Sequence, residues 1–176
     1  MLEDVLQPGL RVVFCGTAAS ARSALVMSYY AGQGNKFWRV LRETGLTPRQ
    51  LSPSEYLLLP RFGIGLTDIV KGQAGPDKDI DFTRGGADQV CDKMLEFQPG
   101  VLCFNGKRAA REFLGLSRVE YGPRQERVGT TVLHVLPSTA GNANGYWDAA
   151  PWHAFAKLLE TGSHQAYADA PRPGCA

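Results

Sequence analysis

Polar residues that could bind a ligand stand at the ends of apolar runs in this sequence. Thr17 follows "LRVVFCG", Asp68 ends "IGLTD", Asn105 ends "VLCFN", and Ser138 and Thr139 follow "TTVLHVLP". Hydroxyls and amides orient a ligand through hydrogen bonds, and a carboxylate can also do acid–base work. Asp68 is the carboxylate of this set, so we expect it to be the principal catalytic or recognition group.

These residues need elements that bring them together. Apolar, β-branched runs bounded by glycine predict four buried strands, at residues 10–16, 64–70, 100–106 and 130–138. Helical periodicity lies between and after them, as in "NKFWRVLRETG" and "APWHAFAKLLETG". This alternation predicts an α/β fold with three layers, α/β/α, around a mostly parallel four-stranded sheet. Ligands of such sheets bind beyond the carboxyl ends of the strands, where the polar residues stand.

The length of 176 residues fits a single domain, which we place at residues 1–162. The Pro-rich stretch 163–176 is predicted to be a loosely held tail. Hydrophobic residues make up 44% and charged residues 20%, as in an ordinary globular protein. No apolar run approaches the roughly 20 residues of a membrane span, and the acidic N-terminus does not resemble a secretion signal. We therefore expect a cytoplasmic protein that does not bind membranes.

The cysteines and the charges exclude some site types and leave others open. None of the four cysteines (Cys15, Cys91, Cys103 and Cys175) stands in a CxxC pair, so we expect no zinc. The net charge of +2 does not by itself identify a nucleic-acid binder. A basic cluster at residues 107–127 is compatible with one, and also with a solvated face. Lys107 opens a helix and is a candidate phosphate contact.

Several segments together resemble one known family. "PGLRVVFCG", "NKFW", "GLTPRQLSPSE", "GLTDIVKG" and "NGKRA" are similar to the mismatch-specific uracil-DNA glycosylases, the branch of the uracil-DNA glycosylase superfamily related to thymine-DNA glycosylases. The resemblance extends to about Lys157. It implies the fold of that superfamily and the excision of uracil from single- or double-stranded DNA in base-excision repair. It also implies a monomer without metal or other cofactor.

Two motifs depart from the family pattern. The family's first motif carries an asparagine that helps to position the attacking water, and Ala18 stands in its place. The loop around it, Gly16-Thr17-Ala18-Ala19-Ser20, offers main-chain groups to the base rather than a catalytic side chain. The second motif, which is NPSG or HPSP in the family, here reads Pro137-Ser138-Thr139-Ala140-Gly141 without its usual histidine or asparagine. A binding protein for uracil-containing or abasic DNA, with weak or no excision, therefore stays an alternative.

The resemblance also implies roles for individual residues near the base. Tyr30 matches the aromatic that stacks on a flipped base, and Tyr29 shapes the pocket against a 5-methyl group. Asp68 could accept the N3–H of uracil, position the water or stabilise the sugar cation; a solvated strand-end aspartate or a helix cap are the alternatives. Ser23 could bind the base or a phosphate, or cap a helix. Asn105 could bind the base or form a turn.

The segment "PSTAGNANGYW" is predicted to enter the DNA duplex, because its small residues allow close approach to the backbone. Ser138, Thr139 and Gly141 are its candidate DNA contacts. Asn142 stands where the family carries an apolar wedge, and Asn144 stands near its base-reading arginine. Both are short and polar here, so we predict activity on single-stranded and duplex DNA without preference for a mismatch partner.

Overall fold

A six-stranded sheet forms the middle of the molecule in this computed structural model, which describes residues 1–162, 170–171 and 175. Its strands are β1 (Val12–Gly16), β2 (Ile64–Asp68), β3 (Val101–Asn105), β4 (Gly122–Val128), β5 (Thr131–Leu136) and β6 (Ala170–Pro171). Their spatial order is β2-β1-β3-β5-β4-β6. The first four run parallel, β4 is antiparallel to β5, and β6 is parallel to β4.

The central strands are apolar on both faces because each face packs on a separate core. In β1, Val12 and Phe14 belong to one core, whereas Val13 and Cys15 belong to the other. The same alternation recurs in β3. Strands buried on both faces are typical of parallel sheets covered by two helical layers. The predicted three-layer, mostly parallel architecture is confirmed.

Helices supply the two outer layers. They are α1 (Ala21–Val26), α2 (Phe37–Glu43), α3 (Gly86–Phe97), α4 (Lys107–Leu114) and α5 (Ala150–Thr161). One core receives Phe37 of α2 and Trp152 of α5, and the other receives Met94 of α3 and Phe113 of α4. A 3₁₀ helix at Pro53–Phe62 leads into β2, and another at Gly141–Tyr146 follows β5. In the described part of the chain, no helix is both long and apolar enough to cross a membrane.

The predicted number of four strands is wrong, because β4 and β6 add to the sheet. The sequence of β4, "GPRQERV", contains no apolar run, and its residues alternate between half-buried and exposed. It lies near the edge of the sheet, where one face meets solvent, so polar residues are tolerated there. The two-residue β6 is too short for any periodic signal.

The two ends of the chain are both attached to the body. Near the N-terminus, Val5 exchanges two backbone hydrogen bonds with Leu66 of β2, of 2.8 and 3.0 Å. Near the C-terminus, Cys175 forms a disulfide with Cys91 of α3. A sequence separation of 84 residues carried no signal for this pairing. The tail predicted for 163–176 lies mostly outside the described residues, so its looseness stays a prediction.

Candidate functional site

The carboxyl ends of β1, β2, β3 and β5 open into one cavity of about 550 Å³. Every predicted site residue except Asn144 lines it: Gly16, Thr17, Ala18, Ser23, Tyr29, Tyr30, Asp68, Asn105, Lys107, Ser138, Thr139, Gly141 and Asn142. The parallel sheet therefore brings these residues to one place, as the rule for strand ends requires.

Asp68 is a buried carboxylate on the cavity wall, with its side chain only 4% exposed. Its Oδ1 lies 2.8 Å from the point where a Cβ on Gly16 would stand, so the absence of a side chain at Gly16 makes room for it. Its Oδ2 lies 3.3 Å from Nζ of Lys71. Burial raises the pKa of Asp68, although the Lys71 ammonium opposes this rise. The alternative of a solvated strand-end aspartate is therefore wrong.

The two adjacent tyrosines differ in their surroundings. Tyr30 has a left-handed backbone, and its ring lies 4.0 Å from that of Phe37, centroid to centroid. Phe37 thus packs against the Tyr30 ring, and Tyr30 also lines the cavity. In the part of the chain that is described, the Tyr30 Oη is buried without a hydrogen-bond partner. Tyr29 is only 2% exposed, and its Oη accepts a 2.6 Å hydrogen bond from Lys71.

Ser23 supports the backbone next to Tyr30. Its Oγ accepts hydrogen bonds from Ala31 N and from the Ser20 hydroxyl, both of 3.0 Å. The residue that caps α1 is Ser20, whose Oγ accepts from Ser23 N at 3.1 Å. Ser23 is therefore not the cap that the sequence allowed. Its buried hydroxyl fixes the turn from which the Tyr30 ring projects.

The Asn105 amide joins two strand ends. Its Oδ1 accepts from Thr139 N at 3.0 Å, and its Nδ2 donates to Thr139 Oγ1 at 2.9 Å. Both side chains are buried. Asn105 thus holds the segment after β5 against the end of β3, in addition to lining the cavity.

The loop after β1 is bound to the segment that follows β2. The carbonyls of Gly16 and Thr17 accept hydrogen bonds from Ile69 N and Val70 N, of 2.9 and 2.8 Å. The Thr17 hydroxyl donates to Asp77 Oδ1 at 2.6 Å. The Thr17 carbonyl, which we expected to serve the ligand, therefore already has a partner. The loop contributes a fixed shape to the cavity more than it contributes side-chain chemistry.

The segment after β5 packs closely against residues 31–34. A Cβ on Gly141 would stand 2.4 Å from the Gln33 carbonyl oxygen, so a larger residue would displace this loop. Lys36 N donates to the Thr139 carbonyl at 2.8 Å, and Lys36 Nζ donates to Oδ1 of Asn144. Asn144 is held by this contact outside the lining of the cavity, whereas Asn142 lies within it.

Basic side chains stand among the lining residues. Lys107 begins α4, and its Nζ lies 4.4 Å from the centre of the Tyr121 ring and 3.9 Å from Glu120. Arg22 and Arg108 also line the cavity, although the sequence analysis did not assign them to it. A basic border beside a cavity suits a phosphate backbone.

Other lining residues were also missed by sequence analysis. Asn35 lines the cavity, and its Oδ1 accepts a hydrogen bond from Phe37 N at 3.0 Å. Leu2 and Asp77 reach the cavity from distant parts of the chain. No local pattern marks residues that are brought in by long-range packing.

The free cysteines lie outside this chemistry. Cys15 and Cys103 are fully buried in β1 and β3, and burial raises the pKa of both thiols. A protonated, buried thiol is a small hydrophobe rather than a nucleophile. Among the described residues, no group of three or more His, Cys, Asp or Glu side chains could hold a metal ion.

Two comparisons with known proteins bear on this site. The family model of the uracil DNA glycosylase superfamily matches residues 3–160. The solution NMR structure of a protein from Methanosarcina acetivorans, named as a candidate uracil DNA glycosylase, is similar with a TM-score of 0.58 and 21% sequence identity. The alignment covers 90% of this chain and 96% of that one. At this identity the structural likeness concerns the fold.

Proposed function

Because this chain belongs to the uracil DNA glycosylase superfamily, we propose that it hydrolyses the N-glycosidic bond of uracil in DNA. The observation that supports this function best is that the Tyr30 ring and the Asp68 carboxylate line the same cavity at the strand ends. The cavity of about 550 Å³ is large enough for a flipped nucleotide. Extrusion of the base is how enzymes reach an atom that the duplex hides.

The Tyr30 ring, which lines the cavity, would stack on the base. Base–aromatic stacking contributes about 1–3 kcal/mol per base and tolerates every base. Specificity must then come from polar groups, and Asp68 is the one within the strand-end set that carries charge. An ionised carboxylate accepts the N3–H of uracil, but it cannot donate to O4.

Bond cleavage leaves positive charge on the sugar and negative charge on the departing base. The Asp68 carboxylate can stabilise the sugar cation or orient the attacking water. Its Oδ1 lies against Gly16, in the loop where Ala18 replaces the first-motif asparagine. In this proposal, Asp68 on the neighbouring strand performs the role of the asparagine that Ala18 replaces.

Binding without excision is the second candidate function. The Asp68 carboxylate is buried and ion-paired, and the Thr17 hydroxyl is engaged by Asp77. Neither group is free to move far toward a water molecule. A protein of this kind would hold uracil-containing or abasic DNA and release it intact.

Excision and binding are separated by one pair of assays. Oligonucleotides with a single uracil, single-stranded or paired as U·A or U·G, are incubated under single-turnover conditions and cleaved with alkali. Fluorescence anisotropy on the same oligonucleotides reports binding. Excision of all three at similar rates supports the proposal. Binding with intact DNA supports the second candidate, and the absence of both contradicts each.

Variants of Asp68 test its role in the same assays. Asp68→Asn and Asp68→Ala are each expected to lose about 10²- to 10⁴-fold in the excision rate, the usual contribution of one acid–base group. The control is Asp92→Asn, an exposed carboxylate on α3. Rates near wild type in both Asp68 variants would remove this residue from the mechanism.

A further inference from the structure

Two lysines and two aspartates form a cluster behind the cavity wall. Lys71 Nζ lies 2.7 Å from Asp4 Oδ1 and 3.3 Å from Asp68 Oδ2. Lys93 Nζ lies 2.5 Å from the other oxygen of Asp4. The formal charges balance, and the exposed fractions are 15% for Lys71 and Asp4, 4% for Asp68 and 26% for Lys93. Ion pairs at this depth are screened less than surface pairs.

Asp4 has a fixed position because the N-terminal segment is attached to the sheet edge. Val5 is hydrogen-bonded to Leu66 in both directions, and a Cβ on Gly65 would stand 2.5 Å from the Val5 carbonyl oxygen. The Thr67 hydroxyl donates to Asp4 Oδ1 at 2.8 Å. The Asp4 carboxylate thus reaches the cluster from a segment 64 positions before Asp68 in the sequence.

The Lys71 ammonium is surrounded by acceptors. Besides the two aspartates, it donates to the Tyr29 hydroxyl at 2.6 Å and to the Leu2 carbonyl at 3.3 Å. Lys71 lies in the irregular segment after β2, three residues beyond Asp68. Because no helix or strand fixes Lys71, its partners must position the ammonium group.

A second cavity, of about 200 Å³, lies beside the first and shares Leu2, Ala19 and Asp68 with it. Lys71 lines this second cavity. The two Asp68 oxygens therefore meet different surroundings: Oδ1 lies against Gly16, and Oδ2 faces the Lys71 ammonium. Without that ammonium, nothing charged would hold Oδ2, and the carboxylate could turn away from the ligand cavity.

We propose that Lys71 and Asp4 are positioning residues of the site: Asp4 holds the Lys71 ammonium, and Lys71 holds the Asp68 carboxylate in the orientation used on the base. This inference rests on the proposed function for its catalytic consequence. In this proposal the N-terminal segment, through Asp4, contributes to the geometry of the site. Neither Lys71 nor Asp4 is proposed to contact the DNA.

The cluster also sets the charge state of Asp68. Burial raises the pKa of Asp68, the Lys71 and Lys93 ammonium groups lower it, and the Asp4 carboxylate raises it. The other titratable groups near this carboxylate are Tyr29, Tyr30 and Cys15. Burial raises the pKa of each of them, so they are neutral near pH 7.

Charge-removing variants therefore have opposite expected effects. Asp4→Asn removes a negative neighbour, so the Asp68 carboxyl should titrate at lower pH than in the wild type. Lys71→Met removes the positive partner, so the carboxyl should titrate at higher pH. These opposite shifts follow from charge alone, so the positioning role is tested by the excision rate, which should fall in both variants at a pH where Asp68 is ionised in each.

The measurement is a ¹³C NMR titration of aspartate side-chain carboxyls in the full chain, with the Asp68 signal assigned from Asp68→Asn. Single-turnover excision is followed across the same pH range. Lys71→Met is expected to lose up to about 10²-fold at neutral pH, the cost of a misplaced catalytic group. The matched control is Glu126→Gln, which breaks a similarly buried pair with Arg124 on β4. This control should move neither the Asp68 titration nor the rate.

Loss of excision in both Lys71→Met and Asp4→Asn, at a pH where the titrations show Asp68 ionised, supports the positioning role. A wild-type rate in either variant at that pH, or no titration shift beyond that of Glu126→Gln, overturns it. If Lys71→Met does not fold, the excision rate of Asp4→Asn decides. A wild type that excises no uracil from any substrate would refute the proposed function, while the carboxyl titration would still show whether Lys71 and Asp4 act on Asp68.

Discussion

Replacing Gly16 with alanine should disturb the site at its tightest contact. The added Cβ would stand 2.8 Å from Asp68 Oδ1, several tenths of an ångström inside ordinary van der Waals contact. The Gly16 backbone does not have a positive φ, so alanine brings no backbone strain. The effect therefore isolates the contact between the new methyl group and the carboxylate.

The size of the expected destabilisation depends on how far the Asp68 side chain can be displaced. Its side chain is 4% exposed, and retreat from Gly16 changes its ion pair with Lys71. Overpacking of this kind costs about 1–3 kcal/mol in the free energy of unfolding. In a chain of this size, each kcal/mol lowers the Tm by about 2–4 °C. Excision should fall by up to about 10²-fold if the carboxylate is displaced by as much as 1 Å.

Urea unfolding and single-turnover excision of Gly16→Ala measure the two effects. Gly145→Ala is the control for unfolding, because its Cβ would meet nothing within 4 Å and its φ is not positive. A double-mutant cycle with Asp68→Ala identifies the group that the new methyl contacts. The destabilisation caused by Gly16→Ala should nearly vanish when the Asp68 carboxylate is absent. An equal cost of Gly16→Ala in both backgrounds would refute the assigned contact.

Three further predictions concern single contacts. Asn105→Ala leaves buried polar groups of Thr139 unpaired and should cost about 1–3 kcal/mol in urea unfolding, whereas an unchanged midpoint would contradict the bridge. Tyr30→Phe removes a buried hydroxyl that has no hydrogen-bond partner in the described residues, so the free energy of unfolding should stay equal or rise. Tyr30→Leu should weaken the binding of uracil-containing DNA by about 1–3 kcal/mol in anisotropy titrations. Cys91→Ala removes the bond to Cys175 and should cost about 2–4 kcal/mol in thermal unfolding with excision unchanged, and an identical Tm with and without reductant would argue against the disulfide.

The architecture could be predicted because its signals are local. The apolar runs at 10–16, 64–70, 100–106 and 130–138 each became a parallel strand, since burial on both faces favours apolar residues at most positions. The strand β4 escaped prediction because a strand that meets solvent on one face can be built from polar residues. Its membership in the sheet is decided by pairing with β5.

Sequence could predict those site residues that stand at the ends of buried strands. Asp68 and Asn105 end buried strands, so the general rule for parallel sheets assigned them to one edge. Their partners were not predictable. Asn105 binds Thr139 across 34 positions, and no sequence period connects residues so far apart.

The sequence by itself determined which segments are strands and helices and which polar residues stand at the edge of the sheet, because hydrophobic periodicity acts over a few residues. Tertiary structure decided how those polar residues are engaged. The fold brings Asp4 and Lys71 to Asp68 and packs Phe37 against the Tyr30 ring. Burial, ion pairing and ring contact arise from long-range packing, and the same residues in an open loop would have different chemistry.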